Sequence, residues 1–192
     1  MYPLIVCSVL ALSAMLERAV FWFLEKLRRN DPLLEDLFDI AETDEKLSGE
    51  ILREADASPD SRVRVVLSGL LHSEEGPAES MEMAAMEEIS TKKRGLALMH
   101  TIVAVAPLLG ILGTVLGIIE SFDVLGQAGI DDPRAVTSGI AQALVTTAAG
   151  LAIAICTLLP YEYFASKVRK ATEELSLVAT RFELGLKKKS GL

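Results

Sequence analysis

The chain has 192 residues, 51% of them hydrophobic and 24% charged, with a formal net charge of −8. Residues 25–95 hold 18 Asp and Glu against 10 Lys and Arg, which accounts for the whole net charge, while 95–119 and 135–161 hold no Asp, Glu, Lys or Arg. Uncharged runs of 25 and 27 residues exceed the ~20 that an apolar helix needs to cross a bilayer core, which argues against an ordinary soluble globular protein.

Residues 1–24 are expected to form a first transmembrane helix. Met1–Leu16 is uncharged and Ala19–Leu24 continues apolar beyond Glu17 and Arg18. Sixteen residues give only about 24 Å of helix, but Tyr2 at one interface and Phe21, Trp22 and Phe23 at the other let a longer segment span. Ala11, Ser13 and Ala14 would suit a cleaved signal peptide; against that reading, no positive segment precedes the apolar run. The tight start at Met1 leaves room for residues upstream.

Residues 25–95 read as an acidic helical collar. Asp31 before Pro32 reads as an N-cap with proline at N1, followed by Leu33, Leu34, Leu37, Phe38 and Ile40 at near-helical spacing. Asp60 or Ser61 is the expected cap of a helix carrying Val63, Val65, Val66, Leu67, Leu70 and Leu71. Ser73–Gly76 breaks the pattern, and Pro77 starts a polar helix expected to run unbroken into the second span. No phosphate loop, metal cluster or nucleophile with its base occurs here, so the acidic runs read as solvated faces. No enzymatic activity, cofactor, metal or nucleic-acid partner is expected.

The second and third spans, 96–122 and 135–161, enclose a short connection, 123–134. Each carries a row of small and hydroxyl residues at steps of three and four, which places the row on one helix face. In the second span the row is Ala106, Gly110, Thr114, Gly117 and Ser121, with Gly113 beside it; in the third it is Gly139, Ala143, Thr147, Gly150 and Ala154. Such rows serve close helix packing, and membrane threonines commonly bond to their own backbone carbonyls. The alternative is a polar path, for which Thr114, Thr146, Thr147 and Gln142 supply hydroxyls and an amide. The uncharged runs contain no carboxylate, so a path built from them alone has no proton carrier. His100 lacks an acidic partner in its span and reads as interfacial; Cys7 and Cys156 read as small apolar fillers.

Residues 162–192 read as a C-terminal helix and basic tail: Tyr161–Leu186 alternates charged and apolar positions, with Val168, Leu175, Val178 and Phe182 as packing positions of a long amphipathic helix, and Lys187, Lys188 and Lys189 follow. Lys26, Arg28 and Arg29 follow the first span, Lys92, Lys93 and Arg94 precede the second, and Lys167, Arg169 and Lys170 follow the third, whereas Glu120, Asp123, Asp131 and Asp132 face only Arg134 around the short connection. The positive-inside rule then predicts that the N-terminus and the 123–134 loop lie outside, and the collar and C-terminus in the cytoplasm.

The segment Ala106-Pro107-Leu108-Leu109-Gly110-Ile111-Leu112-Gly113-Thr114-Val115-Leu116-Gly117 resembles the second-span signature of the MotA/TolQ/ExbB proton-channel family. Gly139-Ile140-Ala141-Gln142-Ala143-Leu144-Val145-Thr146-Thr147-Ala148-Ala149-Gly150-Leu151 is similar to its third-span signature, and Leu16-Glu17-Arg18 also fits. Three spans with a modest loop resemble ExbB and TolQ rather than the larger MotA. The resemblance implies an all-α membrane protein of the bacterial inner membrane that forms a five-fold ring of itself in the lipid bilayer. Within that ring it implies paired helices of an ExbD- or TolR-like single-span partner, whose membrane aspartate carries the proton. Work would pass through a TonB- or TolA-like protein to the outer membrane. It also implies Thr114 and Thr147 as path-facing residues, with Thr146 and Gln142 beside them. Gln142 stands where most ExbB and TolQ sequences have glutamate, and an amide cannot titrate. Two other functions are weighed: a non-conducting scaffold for a partner complex, and a small-solute transporter, disfavoured because there is no internal repeat or broken helix.

Overall fold

The computed structural model describes residues 2–43, 48–72, 76–128 and 133–190. The described residues are helical and contain no strand. In chain order the helices are α1 (Tyr2–Leu27), α2 (Asp31–Glu42), α3 (Gly49–Ala57), α4 (Ser61–Leu71), α5 (Pro77–Lys93), α6 (Leu96–Ala128) and α7 (Pro133–Ser190). The all-α membrane class expected from the uncharged runs is what the chain adopts. Helices α1, α6 and α7 are long and apolar enough to cross a membrane, and Ile5, Val9, Leu108, Leu112, Leu151 and Ile155 are exposed on them. Exposed apolar side chains in such density make sense against hydrocarbon rather than water. The middle of the expected 123–134 connection, with Asp131 and Asp132, lies outside the described residues, as do Met1 and Ser73.

Two compact units make up the chain. One comprises 1–19 and 95–164, the other 20–94 and 165–192. In the first, Leu4 and Ala11 of α1 pack with Ile102 and Ala106 of α6, with Ala149 and Ile153 of α7 at the margin. Small side chains at 11 and 106 let these helices approach closely, a common way for membrane helices to gain dispersion contacts.

The second unit has an ordinary hydrophobic core. Leu37 and Phe38 of α2, Val63 and Val66 of α4, Met81 of α5, and Leu175 and Phe182 of α7 are all buried in it. The end of α7 is tied to α2 at the surface: Arg181 forms a two-pronged pair with Glu35 at 2.9 and 2.7 Å and lies 4.0 Å over the Phe38 ring. The Arg181 pair holds the Glu35 carboxyl below its ordinary range.

Three features of this unit differ from the expectation. The cap of α2 is Asn30, not Asp31: its side chain accepts from Leu33 N at 3.2 Å, and Asp31 lies inside the first turn. Asn30 wins because its own N–H is held by Asp60 Oδ2 at 2.9 Å, which fixes the entry into the helix. A helix unmarked in the sequence reading, α3, is capped by Ser48, which accepts from Ile51 N at 3.2 Å. Finally, the helix begun at Pro77 does not run into the second span. It stops at Lys93, and α6 begins at Leu96 after Gly95, whose φ of +80° is the left-handed conformation that glycine adopts without a Cβ penalty.

Candidate functional site

Helices α6 and α7 meet along their rows of small residues. A Cβ added at Gly150 would lie 2.6 Å from the Ala106 carbonyl oxygen, and one at Gly110 would lie 3.0 Å from Thr147 Cα. These neighbours are backbone, which cannot swing aside. At Gly113 the nearest atom is the Thr146 hydroxyl at 2.6 Å, the end of a side chain that has other rotamers. Gly117 faces Ala143, and Gly139 faces Ser121, so every step of the row on one helix meets a step on the other. Ala106, Ala143 and Ala154 are buried.

The seam brings three threonines together. Thr114 Oγ1 and Thr147 Oγ1 are hydrogen-bonded to each other. Thr114 also reaches the carbonyls of Gly110 and Ala143, each at 3.2 Å, and Thr147 reaches the Gly110 carbonyl at 3.0 Å. Thr146 donates to Ala143 O at 2.7 Å and lies 3.2 Å from Gly110 O. A hydroxyl has one proton to give and two lone pairs with which to accept. With carbonyls on several sides, the protons of the cluster are drawn to the backbone and to one another.

Beside this cluster lies a groove of about 420 Å³ whose lining includes Gly113, Gly117, Glu120, Ser121, Gln142 and Thr146. Of the four polar residues singled out in the sequence, Gln142 and Thr146 line the groove. Thr114 and Thr147 do not; they are half-buried in the seam. His100 packs against Tyr161, with ring centroids 5.5 Å apart.

The sequence reading missed Glu120 as a residue of this site. The uncharged run ends at Ile119, so Glu120 was assigned with the acids around the connection, yet α6 continues to Ala128 and carries it into the groove. The signal was available: 113, 117 and 120 follow the same steps of four and three that define the row. Ser121, the last member of that row, gives its proton to Gly117 O at 2.7 Å.

Outside the membrane segments, the strongest polar site belongs to the second unit. Asp60 is buried and caps α4 by accepting from Arg62 N at 2.9 Å; it also accepts from the Arg62 guanidinium at 3.1 and 2.7 Å. Burial pushes its carboxyl up, but the hydrogen bonds from Arg62 and from the Asn30 and Arg62 backbone outweigh that and hold it below the usual aspartate range. Arg62 is pushed up in turn by Asp60 and Asp31 against the opposing effect of burial. Nearby, Lys92 is buried, pairs with Glu25 and lies within 6.0 Å of the Phe21 and Trp22 ring centres.

Residues 57–176 match the MotA/TolQ/ExbB proton channel family, which is well over half of the chain. The chain belongs to that family. An ExbB-like biopolymer transport protein of Synechocystis sp., ExbB-like 1, is 36% identical over 188 residues that cover 96% of this chain and 74% of the relative. A second from the same organism, ExbB-like 3, is 34% identical over 192 residues, covering 94% and 90%. The biopolymer transport protein ExbB of Aquifex aeolicus is 39% identical over 87 residues, or 45% of this chain and 57% of that one. Membership makes this a membrane protein of a family of proton-channel and transport proteins, and the signatures at 106–117 and 139–151 both fall inside the matched region.

Proposed function

We propose that the chain is the ring-forming subunit of a proton-driven motor in the bacterial inner membrane. Five copies surround an ExbD- or TolR-like partner whose membrane aspartate carries the proton, and a TonB- or TolA-like protein delivers the work to the outer membrane. The N-terminus and the connection near 123–134 face the periplasm; the collar and the C-terminus face the cytoplasm, in keeping with the flanking basic clusters. One observation carries the reading: the hydroxyl cluster of Thr114, Thr146 and Thr147 sits between two spans whose uncharged runs contain no carboxylate. A bare charge in the bilayer interior is costly, so an ion crossing at that depth needs an acid from another chain.

Hydroxyls along such a route can accommodate a neutral, protonated aspartic acid better than its anion, which ties release of the proton to movement of the partner. The test is co-reconstitution of this chain with its single-span neighbour in liposomes. Partner-dependent acidification is expected, and Thr147→Val should lower it roughly tenfold, the equivalent of about 1.4 kcal/mol. Unchanged flux in Thr147→Val would remove Thr147 from the route. Replacing the proton gradient by a sodium gradient separates a sodium-driven variant.

The second reading is a non-conducting scaffold. It is favoured by the same hydrogen bonds, since every threonine of the cluster is already bonded across the seam or to a carbonyl of its own helix. Absence of any partner-dependent flux in the wild-type complex would favour it.

A further inference from the structure

From the groove between α6 and α7 we infer that Glu120 is the group that takes up and releases a proton there, with the Gln142 amide as the uncharged polar side chain that shares the groove with it. The inference rests on the channel reading above and deepens it, because it places an acid of this chain beside the route that the partner's acid would use.

The lining of the groove narrows the choice. Thr146 and Ser121 both give their protons to backbone carbonyls at 2.7 Å. Gln142 has an amide that can donate and accept but cannot titrate. Among the residues that line the groove, Glu120 is the one titratable side chain. It has no hydrogen bond or ion pair among the described residues, and the α7 residues that line the groove opposite it are Gly139, Gln142, Ala143 and Thr146, none of them charged. Asp123, one turn further along α6, is the next acid on the same helix. At 1.5 Å per residue, Glu120 lies about 9 Å along the axis from Thr114, toward the end of α6 that leads to the short connection.

Gln142 suits both states of such an acid. Its NH₂ can donate to the carboxylate, and its carbonyl can accept from the carboxylic acid O–H. Proton uptake forms an O–H bond on a carboxylate oxygen of Glu120 as an O–H bond of hydronium breaks and leaves water. Release reverses this, passing the proton to water or to a carboxylate of the partner. An acid on α6 facing an amide on α7 thus divides between two helices the two properties that one glutamate would combine.

The experiment compares wild type, Glu120→Gln, Gln142→Glu and the exchanged pair Glu120→Gln/Gln142→Glu, each co-reconstituted with the single-span neighbour and checked for equal assembly. Glu120→Gln is expected to lower proton flux at least tenfold, and the exchange to restore it to within a few-fold of wild type, since either helix can present the acid to the groove. Full flux in Glu120→Gln overturns the inference, and so does an exchanged pair as inactive as the single variant. Labelling of the full chain alone by a lipid-soluble carbodiimide, which reacts with protonated carboxyls, gives an independent readout. The Glu120 peptide is expected to carry the label, and wild-type flux is expected to fall as it does. Should the wild-type complex conduct nothing, the channel reading fails on that result, and labelling decides the present inference: an unlabelled Glu120 overturns it.

Discussion

Replacing Asp60 by alanine removes four hydrogen bonds at once, and the structure says what each was doing. One caps α4 at Arg62 N, two hold the Arg62 guanidinium, and one holds the Asn30 N–H that sets the start of α2. Loss of the cap costs about 1 kcal/mol, and the groups left without their partner add roughly 1–3 kcal/mol. Arg62 keeps Asp31 at 2.7 Å and Glu174 at 3.5 Å, which limits the damage. The sum, about 2–4 kcal/mol, corresponds to ~30- to ~900-fold in a local opening equilibrium. Hydrogen exchange of the full chain in detergent, followed by mass spectrometry, should show faster exchange of that order across 61–71. Asp60→Asn keeps one acceptor oxygen and should cost less. The acid dependence has a fixed sign: because the folded carboxyl lies below its unfolded value, its contribution is full above about pH 4. It is lost as the pH falls through the lower, folded value. Wild-type exchange rates in the Asp60→Ala protein, or equal damage from Asp60→Asn, would refute the reasoning.

Alanine at Gly150 should be worse than alanine at Gly113. The first drives a methyl into the Ala106 backbone and the second meets a movable threonine side chain, so the expected cost is about 1–3 kcal/mol at 150 and less at 113; thermal aggregation of the purified proteins in detergent measures the difference. Lys92→Ala should destabilise the collar unit by roughly 3–5 kcal/mol because Glu25 is left without the partner that neutralised it. Lys92→Met combined with Glu25→Gln should recover much of that loss, and urea titration followed by Trp22 fluorescence separates the two.

The helical class and the family were legible in the sequence because both rest on local information. An uncharged run of 27 residues has few structures open to it, and the two signatures are contiguous strings. What was not legible depended on atoms distant in the chain. Asp31 and Asn30 are both good caps by type; the choice between them was made by Asp60, thirty residues away. The stop at Lys93 turns on one φ angle at Gly95, in a stretch whose composition reads as helix throughout. In the site, the row of small residues could be read from its spacing, but the bond between Thr114 and Thr147 requires the register of two antiparallel helices, which no single-helix pattern contains. Glu120 is a different case. It falls inside the expected 96–122 span, but its charge groups it with the acids around the connection, and only the packing of α7 against α6 forms the groove that it lines.

The inward-turned hydroxyls bear on which sign of ion the groove would tolerate. An anion is held by donors, yet the protons of Thr146 and Ser121 are already committed to carbonyls, leaving the Gln142 amide as the one side-chain donor in the lining and Glu120 to repel. A cation meets the opposite surface, lone pairs on two hydroxyl oxygens and a carboxylate. Chloride would therefore be rejected and a positive ion welcomed, a preference set by the Glu120 carboxylate together with the direction in which a few O–H bonds point.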